Sequence, residues 1–350
     1  MAVLTYKCPS CGGGLKFDAE KQTFLCEFCE STFTKEQVES FDPASQAEIK
    51  NDTQESDSAN QSDTTMLYTC PSCGAEIATD ATTAATFCYY CHNPVVLSGR
   101  LDKEYLPSKV IPFAFDRDEA VKRFMAWIKK KKFVPKDFFS QSQVEKITGI
   151  YFPYWLVDSD IDGAYSAKGI KTRVWCVGDI EYTETSTYDL QRAGSVHLED
   201  ITKCALKKLN KQLVESVQPF DGTGMLDFSS AYLLGFQAEK RDIEREALEA
   251  EVKTNIKDYT ERLFRDTING YVIRSQQTNA SIVKADWEYT LLPVWALTYK
   301  KNDKMFYYAM NGQTGKINGE LPVDKAKLWR VAGIAAAVLL AVSLLIAYLI

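Results

Sequence analysis

Apolar and polar positions alternate in three different ways along this chain, and each pattern predicts a different kind of element. Segments 109–115 (KVIPFAF), 150–169, 173–190, 271–283, 291–301 and 304–317 are rich in β-branched and aromatic residues and read as strands. The last of them carries an Asn311–Gly312 turn signal. A second pattern repeats every fourth residue: Ala120, Phe124 and Ile128 share one face of a helix predicted from Asp116 or Asp118 to about residue 132. Residues 229–264, dominated by Glu, Lys, Ala and Leu, also read as mostly helical. Segments 150–157 and 289–297 share a Pro-x-Trp core and are expected to be equivalent strands of a faint duplication. Together these segments predict an α+β domain over 106–324.

The third pattern is unbroken apolarity. Residues 331–350 read VAGIAAAVLLAVSLLIAYLI, without charge or proline. As a helix at about 1.5 Å per residue, this run is roughly 30 Å long, the thickness of a bilayer's hydrocarbon core. Lys325, Lys327 and Arg330 flank it on one side and Trp329 stands at the expected interface. Residues 325–350 are therefore expected to be a basic flank and a single-pass tail anchor at the cell membrane, with the bulk of the chain cytoplasmic. Gly333, Ala337 and Ala341 lie on one face of that helix. At the other end, MAVLTYKCPS lacks the apolar core of a signal peptide. Residues 42–65 hold six carboxylates, one lysine and no aromatic, a composition too polar to offset its ordering entropy, and 41–66 is expected to be a flexible acidic linker.

Charge and cysteine content sharpen the picture. A formal net charge of −6 argues against a generic nucleic-acid binder. Eight of the ten cysteines fall in four CxxC pairs. Cys8, Cys11, Cys26 and Cys29 form one quartet, and Cys70, Cys73, Cys88 and Cys91 repeat its spacing, with YKCPSCGGGLKF matching YTCPSCGAEIAT. In a reducing cytosol, paired CxxC knuckles mean metal rather than disulfides. Four thiolates close a tetrahedral Zn²⁺ site without an open position for substrate, which marks a structural site. Two zinc ribbons are expected, at 1–40 and 67–105, each with so little core that two structural Zn²⁺ supply most of the folding energy. His92 follows Cys91 directly, but the quartet is already complete. Phe24, Phe28, Phe33, Phe87, Tyr89 and Tyr90 cluster near the second knuckles; most are expected in the ribbon cores, with one or two left for a protein-binding face.

Catalytic chemistry is sparse. The chain has two histidines, His92 and His197, and lacks HExxH, GxSxG, GxGxxG and the phosphate loop. Asp158, Asp160, Asp162 and Gly163 match half a Ca²⁺ loop, but Gly169 stands where a bidentate Glu is needed, so they read as aspartates on the solvent face of a strand. Residues 129–132, all lysine, suit the negative end of a helix, with anionic lipid as the sharper alternative. Cys176 and Cys204 are expected to be plain buried thiols.

The paired CPSCG knuckles, together with GIYFPYWLVD, VQPFDG, AYLLGFQAEKRD, LLPVWALTY and NGQTGKINGELP, resemble the bacterial "TFIIB-type" zinc-ribbon proteins, in particular the membrane-anchored, YdjG-like members. Arg241 departs from that family's Ala-Glu-x-Tyr-Asp motif. The resemblance implies a membrane protein acting beside a flotillin-like (SPFH) protein and phage-shock protein A in envelope stress. The fold class expected is two small, mostly β zinc ribbons, an α+β domain and one C-terminal transmembrane helix. The expected function is a non-enzymatic adaptor that assembles protein partners at the cytoplasmic face of the membrane; the alternative is a nucleic-acid-associated or enzymatic central domain.

Overall fold

A computed structural model describes residues 6–41, 66–70, 76–88, 94–97, 101, 105–135, 147–207, 213, 215–301 and 304–349. The chain begins with β1 (Leu15–Asp18), β2 (Thr23–Cys26), β3 (Thr32–Phe33) and α1 (Lys35–Phe41). Next come β4 (Met66–Thr69), β5 (Glu76–Thr79), β6 (Thr83–Phe87) and β7 (Pro94–Val96). The short β8 (Lys109–Val110) precedes α2 (Arg117–Lys129), β9 (Thr148–Val177) and β10 (Ile180–Cys204). After β11 (Leu226–Asp227) and β12 (Gln237–Glu239) come α3 (Arg245–Asp266), β13 (Val272–Lys301), β14 (Lys304–Asn311), β15 (Ile317–Gly319) and α4 (Lys325–Leu349). The body is mostly β, with a few helices and one apolar C-terminal helix.

The largest sheet has ten strands, in the order β11-β8-β13-β9-β12-β6-β7, with β10 on β9 and β14 on β13 and β15. β6 and β7, which follow the third CxxC, are strands of this sheet, whereas β1-β2-β3 and β4-β5 form small sheets of their own. The chain divides into two compact units. The first contains Met1–Pro153, Leu206–Lys240 and Leu291–Ile350; the second contains Tyr154–Ala205 and Arg241–Thr290.

The first unit has an aromatic core. Phe113 stacks on Phe236 with centroids 4.2 Å apart, and Tyr151 and Trp295 meet Phe113 edge-on. Gly149 is a glycine for a packing reason: a Cβ there would stand 2.6 Å from the Phe236 ring. α2 begins where the sequence predicts, with the Asp116 carboxylate accepting from the Glu119 amide at 2.8 Å. Its buried residues are Ala120, Phe124 and Ile128.

In the second unit α3 lies across the β9–β10 hairpin. Its buried residues Leu248, Val252, Ile256, Thr260 and Phe264 recur every fourth position. Val252 and Ile256 pack with Val157, Ile161 and Ile201, and Phe264 packs with Tyr165 and Ala167. Arg241 is buried between aromatic faces, its guanidinium 5.0 Å from Trp155 and 5.1 Å from Tyr289, with Glu244 at 3.2 Å.

Several elements differ from the sequence reading. Residues 229–244 are not helical: a 3₁₀ turn over Ser230–Leu233 and strand β12 precede α3, because Gly235 takes φ +90° and breaks the run. Segments 150–169 and 173–190 do form two successive strands, but the break between them lies at Gly178 (φ +61°) and Asp179, so 173–177 belongs to β9 and the two strands are the arms of one hairpin. Segments 271–283 and 291–301 fuse into β13, and of 109–115 only Lys109–Val110 is strand. Cys204 is buried as expected, but Cys176 is exposed, since an even position of β9 lies on the face that α3 does not cover. The linker 42–65, His92, Tyr89 and Tyr90 lie outside the described residues.

Candidate metal centre

Two tight turns bring the first quartet together. In the first knuckle the Cys8 amide donates to Gly13 O (2.6 Å) and the Gly12 amide to Cys8 O (2.9 Å), with Gly12 at φ +76°. The second knuckle repeats the turn: the Glu30 amide donates to Cys26 O at 2.9 Å. Here the left-handed position is filled by Glu30 at φ +59°, a conformation that disfavours a side chain. Cys26 ends β2 directly opposite Leu15 of β1, so the sheet register fixes one knuckle against the other.

The four Sγ atoms lie within 4.8 Å of one another. Cys8 and Cys29 approach to 3.6 Å, and Cys11 and Cys26 to 3.5 Å. A tetrahedron of Zn–S bonds of about 2.3 Å has sulfur–sulfur edges of roughly 3.8 Å, so these spacings suit a metal. They are far longer than the roughly 2.05 Å of a disulfide. The Ser10 amide points at Cys8 Sγ from 3.4 Å, a donor that favours a thiolate.

Protonation within the quartet is uneven. The Ser31 hydroxyl and amide hold the Cys29 thiol down, to about 6. At Cys11 the Gly13 amide pulls downward, but the Cys26 and Cys29 thiols outweigh it and push Cys11 up to about 12. Crowded thiolates repel one another, and a divalent cation at their centre would offset that repulsion. Zn²⁺ held by Cys8, Cys11, Cys26 and Cys29 would fix the ribbon and, with all four positions filled by thiolate, leave none for substrate.

Of the second quartet, Cys70 and Cys88 are brought together in one buried cluster with Tyr68, Val95 and Leu97. Cys73 and Cys91 lie outside the described residues.

The ribbon's surroundings matter as much as its ligands. Phe17 and Phe24 pack with Tyr232, at 5.4 and 6.2 Å, as core residues. Phe28, between Cys26 and Cys29, is 75% exposed, and its ring lies on Gly13, where a Cβ would approach to 2.6 Å. Within the first unit a cleft of about 540 Å³ opens beside it, lined by Lys16, Glu27, Phe28, Arg117, Phe236 and Trp295 among others. The roles of Ser31 and Gly13 were not anticipated from sequence; the triple glycine after Cys11 was the available signal for the second.

Asp158, Asp160 and Asp162 stand on the exposed face of β9, as read from the sequence. Asp160 faces His197 Nδ1 at 2.7 Å, Asp162 accepts from Ser195, and Asp158 accepts the Asp200 amide, so all three have protein partners. Asp160 holds the His197 imidazolium above its ordinary range.

α4 is long and apolar enough to cross a membrane. Its segment Lys325–Leu344 has a mean hydropathy of 1.7, and none of it is buried. The Asp324 carboxylate caps it by accepting the Lys327 amide at 3.0 Å, and the Asp324 amide donates to Phe133 O.

A cysteine quartet in a small β sheet, a mostly β body and one exposed apolar helix define a protein with a candidate metal site and a membrane-length tail. No family model matches the chain, and no solved structure matches it. It is similar to the "Uncharacterized protein YdjG" of Bacillus subtilis (strain 168), with 31% identity over 347 residues, 98% of this chain and 97% of the relative. Likeness of that extent places the chain in the YdjG family.

Proposed function

We propose that the chain is a non-enzymatic, membrane-anchored zinc-ribbon adaptor that assembles protein partners at the cytoplasmic face of the membrane. On this reading both quartets, Cys8–Cys11–Cys26–Cys29 and Cys70–Cys73–Cys88–Cys91, are "TFIIB-type" zinc ribbons holding one structural Zn²⁺ each. α4 is the single-pass anchor, oriented by Lys325, Lys327 and Arg330 with the rest of the chain in the cytoplasm. The partners proposed are a flotillin-like (SPFH) protein and phage-shock protein A in envelope stress, the association implied by the family resemblance.

One observation carries the reading. The metal-ligand geometry of the first ribbon is closed to substrate, yet it presents Phe28 to solvent beside an aromatic-floored cleft. Such a surface suits protein docking, in which a few aromatic anchors carry most of the affinity. Crosslinking of the full chain in native membranes, followed by mass spectrometry, tests it. Wild type is expected to capture a defined set of proteins, and Phe28→Asp to lose at least one while keeping its metal. Capture that is identical for the two chains removes the Phe28 surface from the account.

A further inference from the structure

The β9–β10 hairpin of the second unit is covered along only part of its length. From Val157 to Gly169 every odd position of β9 is buried, and every even one from Asp158 to Lys168 is exposed. The buried row faces α3: Phe264 and Thr260 close on Gly163, and Phe264 packs with Tyr165 and Ala167. α3 ends at Asp266, and the last cover is Tyr271, whose side chain lies over Gly169.

The strands continue beyond that point for several rungs, and so does the apolar row. The register places Val177 opposite Ile180, Trp175 opposite Tyr182, Arg173 opposite Glu184 and Lys171 opposite Ser186, all on the face that α3 covers further down. Trp175 and Tyr182 stack at 5.7 Å, and the Arg173 guanidinium lies 5.5 Å from the Trp175 ring. Val177, Ile180, Trp175 and Tyr182 are between 39% and 61% exposed. A two-stranded ribbon alone in water is marginal, so a face of this composition calls for a second layer.

The charges say which layer fits. On this face the β9 arm carries Lys171 and Arg173, and the β10 arm carries Glu184 opposite Arg173. Rotating a second hairpin by half a turn about the strand direction lays its β9 over the first one's β10, at the same rungs and with both tips together. Arg173 then stands over Glu184 and Trp175 over Tyr182, each pair formed twice by symmetry. A bilayer fits less well, because Asp179 at the turn and Glu181 next to it would enter first. We propose that this uncovered face docks a second copy of the chain, hairpin on hairpin, with reciprocal Arg173–Glu184 pairs.

The footprint is small. Seven rungs at about 3.4 Å and a width of roughly 10 Å give on the order of 240 Å² per copy, against about 800 Å² in a standard interface. Such a contact is weak in dilute solution and becomes populated when copies share a membrane. That enrichment rests on the anchor reading; the self-complementary register does not.

The test is energy transfer between full chains carrying two different fluorophores, reconstituted in phosphatidylcholine vesicles, with flotation reporting membrane attachment separately. Arg173→Glu and Glu184→Arg each place like charges in both intercopy pairs, and each is expected to lower the specific transfer roughly three- to tenfold. Mixed together, the two variants regain opposite charges in both pairs, and transfer is expected to return to within about twofold of wild type. Each variant keeps its own mismatched hairpin in the mixture, so recovery cannot come from within one chain. Unchanged transfer in the single variants overturns the proposal, as does a mixture as low as either variant alone. Fluorescence of the Trp175 increment, wild type minus Trp175→Ala, that is quenched by brominated acyl chains overturns it in favour of lipid.

Discussion

The first ribbon and the second unit solve the same problem, a small β sheet with an apolar face, by different means. Around β1, β2 and β3 the buried side chains are few: Tyr6, Leu15, Phe17, Phe24 and Val38 among them. The cysteine quartet, with its four Sγ atoms within 4.8 Å of one another, is placed to hold the two knuckles through a metal where side-chain packing is thin. The base of the β9–β10 hairpin instead lies under α3, which buries five residues spaced along the helix, and no cysteine quartet is present there among the described residues. On the proposed reading, a small ribbon with so thin a core draws its stability from a metal, whereas the hairpin under a 22-residue helix draws it from packing.

The sharpest way to break this contrast is to remove a ligand. Cys26→Ser should release the metal from the first quartet, and structural zinc binding is worth on the order of 10 kcal/mol in small ribbons. Amide exchange is expected to accelerate over residues 6–33 while α3 and its hairpin keep their protection. Equal loss in both regions would mean that the contrast is wrong. Next in size is the mirror experiment. Phe264→Ala leaves a void against Gly163 and Tyr165 and should cost the second unit about 3–4 kcal/mol with metal content unchanged.

A pH effect comes third. The Asp160 carboxylate raises His197, so this contact stabilises the hairpin fully below the ordinary imidazole value near 6.5. The contribution is lost as pH rises through the higher, folded-state value. Thermal melts of His197→Gln are expected to match wild type above that window and fall below it under mildly acidic conditions. The smallest effect belongs to Glu30→Gly. It relieves the left-handed conformation of the second knuckle and is expected to shift stability by less than about 1 kcal/mol, in the stabilising direction, as read from chelator-competition midpoints.

How far the sequence reveals these two regions differs, for physical reasons. Metal knuckles are local: CxxC spacing and the glycines beside it specify the turn, so the quartet that the structure brings together was legible residue by residue. Helix α2 was legible too, since Asp116 caps it and its apolar row is short-range. The limits of α3 were not. Composition favoured helix from 229 onward, but Tyr232, Leu233, Leu234 and Phe236 are buried in turn and loop positions that only the fold creates. In the hairpin the two strands are legible but their boundary is not: the turn falls at Gly178–Asp179, and the exposure of Trp175 depends on where α3 stops. Long-range packing decides such cases, and local pattern does not record it.

The central claim, that cysteine quartets hold structural metal where the core is thin, is tested most directly by zinc and thiol analysis of the purified full chain in detergent. The account predicts two tightly bound Zn²⁺ per chain, with the eight quartet thiols protected from alkylation, and one Zn²⁺ in Cys26→Ser. A chain with all eight thiols reduced and reactive, no bound zinc and undiminished amide protection over residues 6–33 would contradict it.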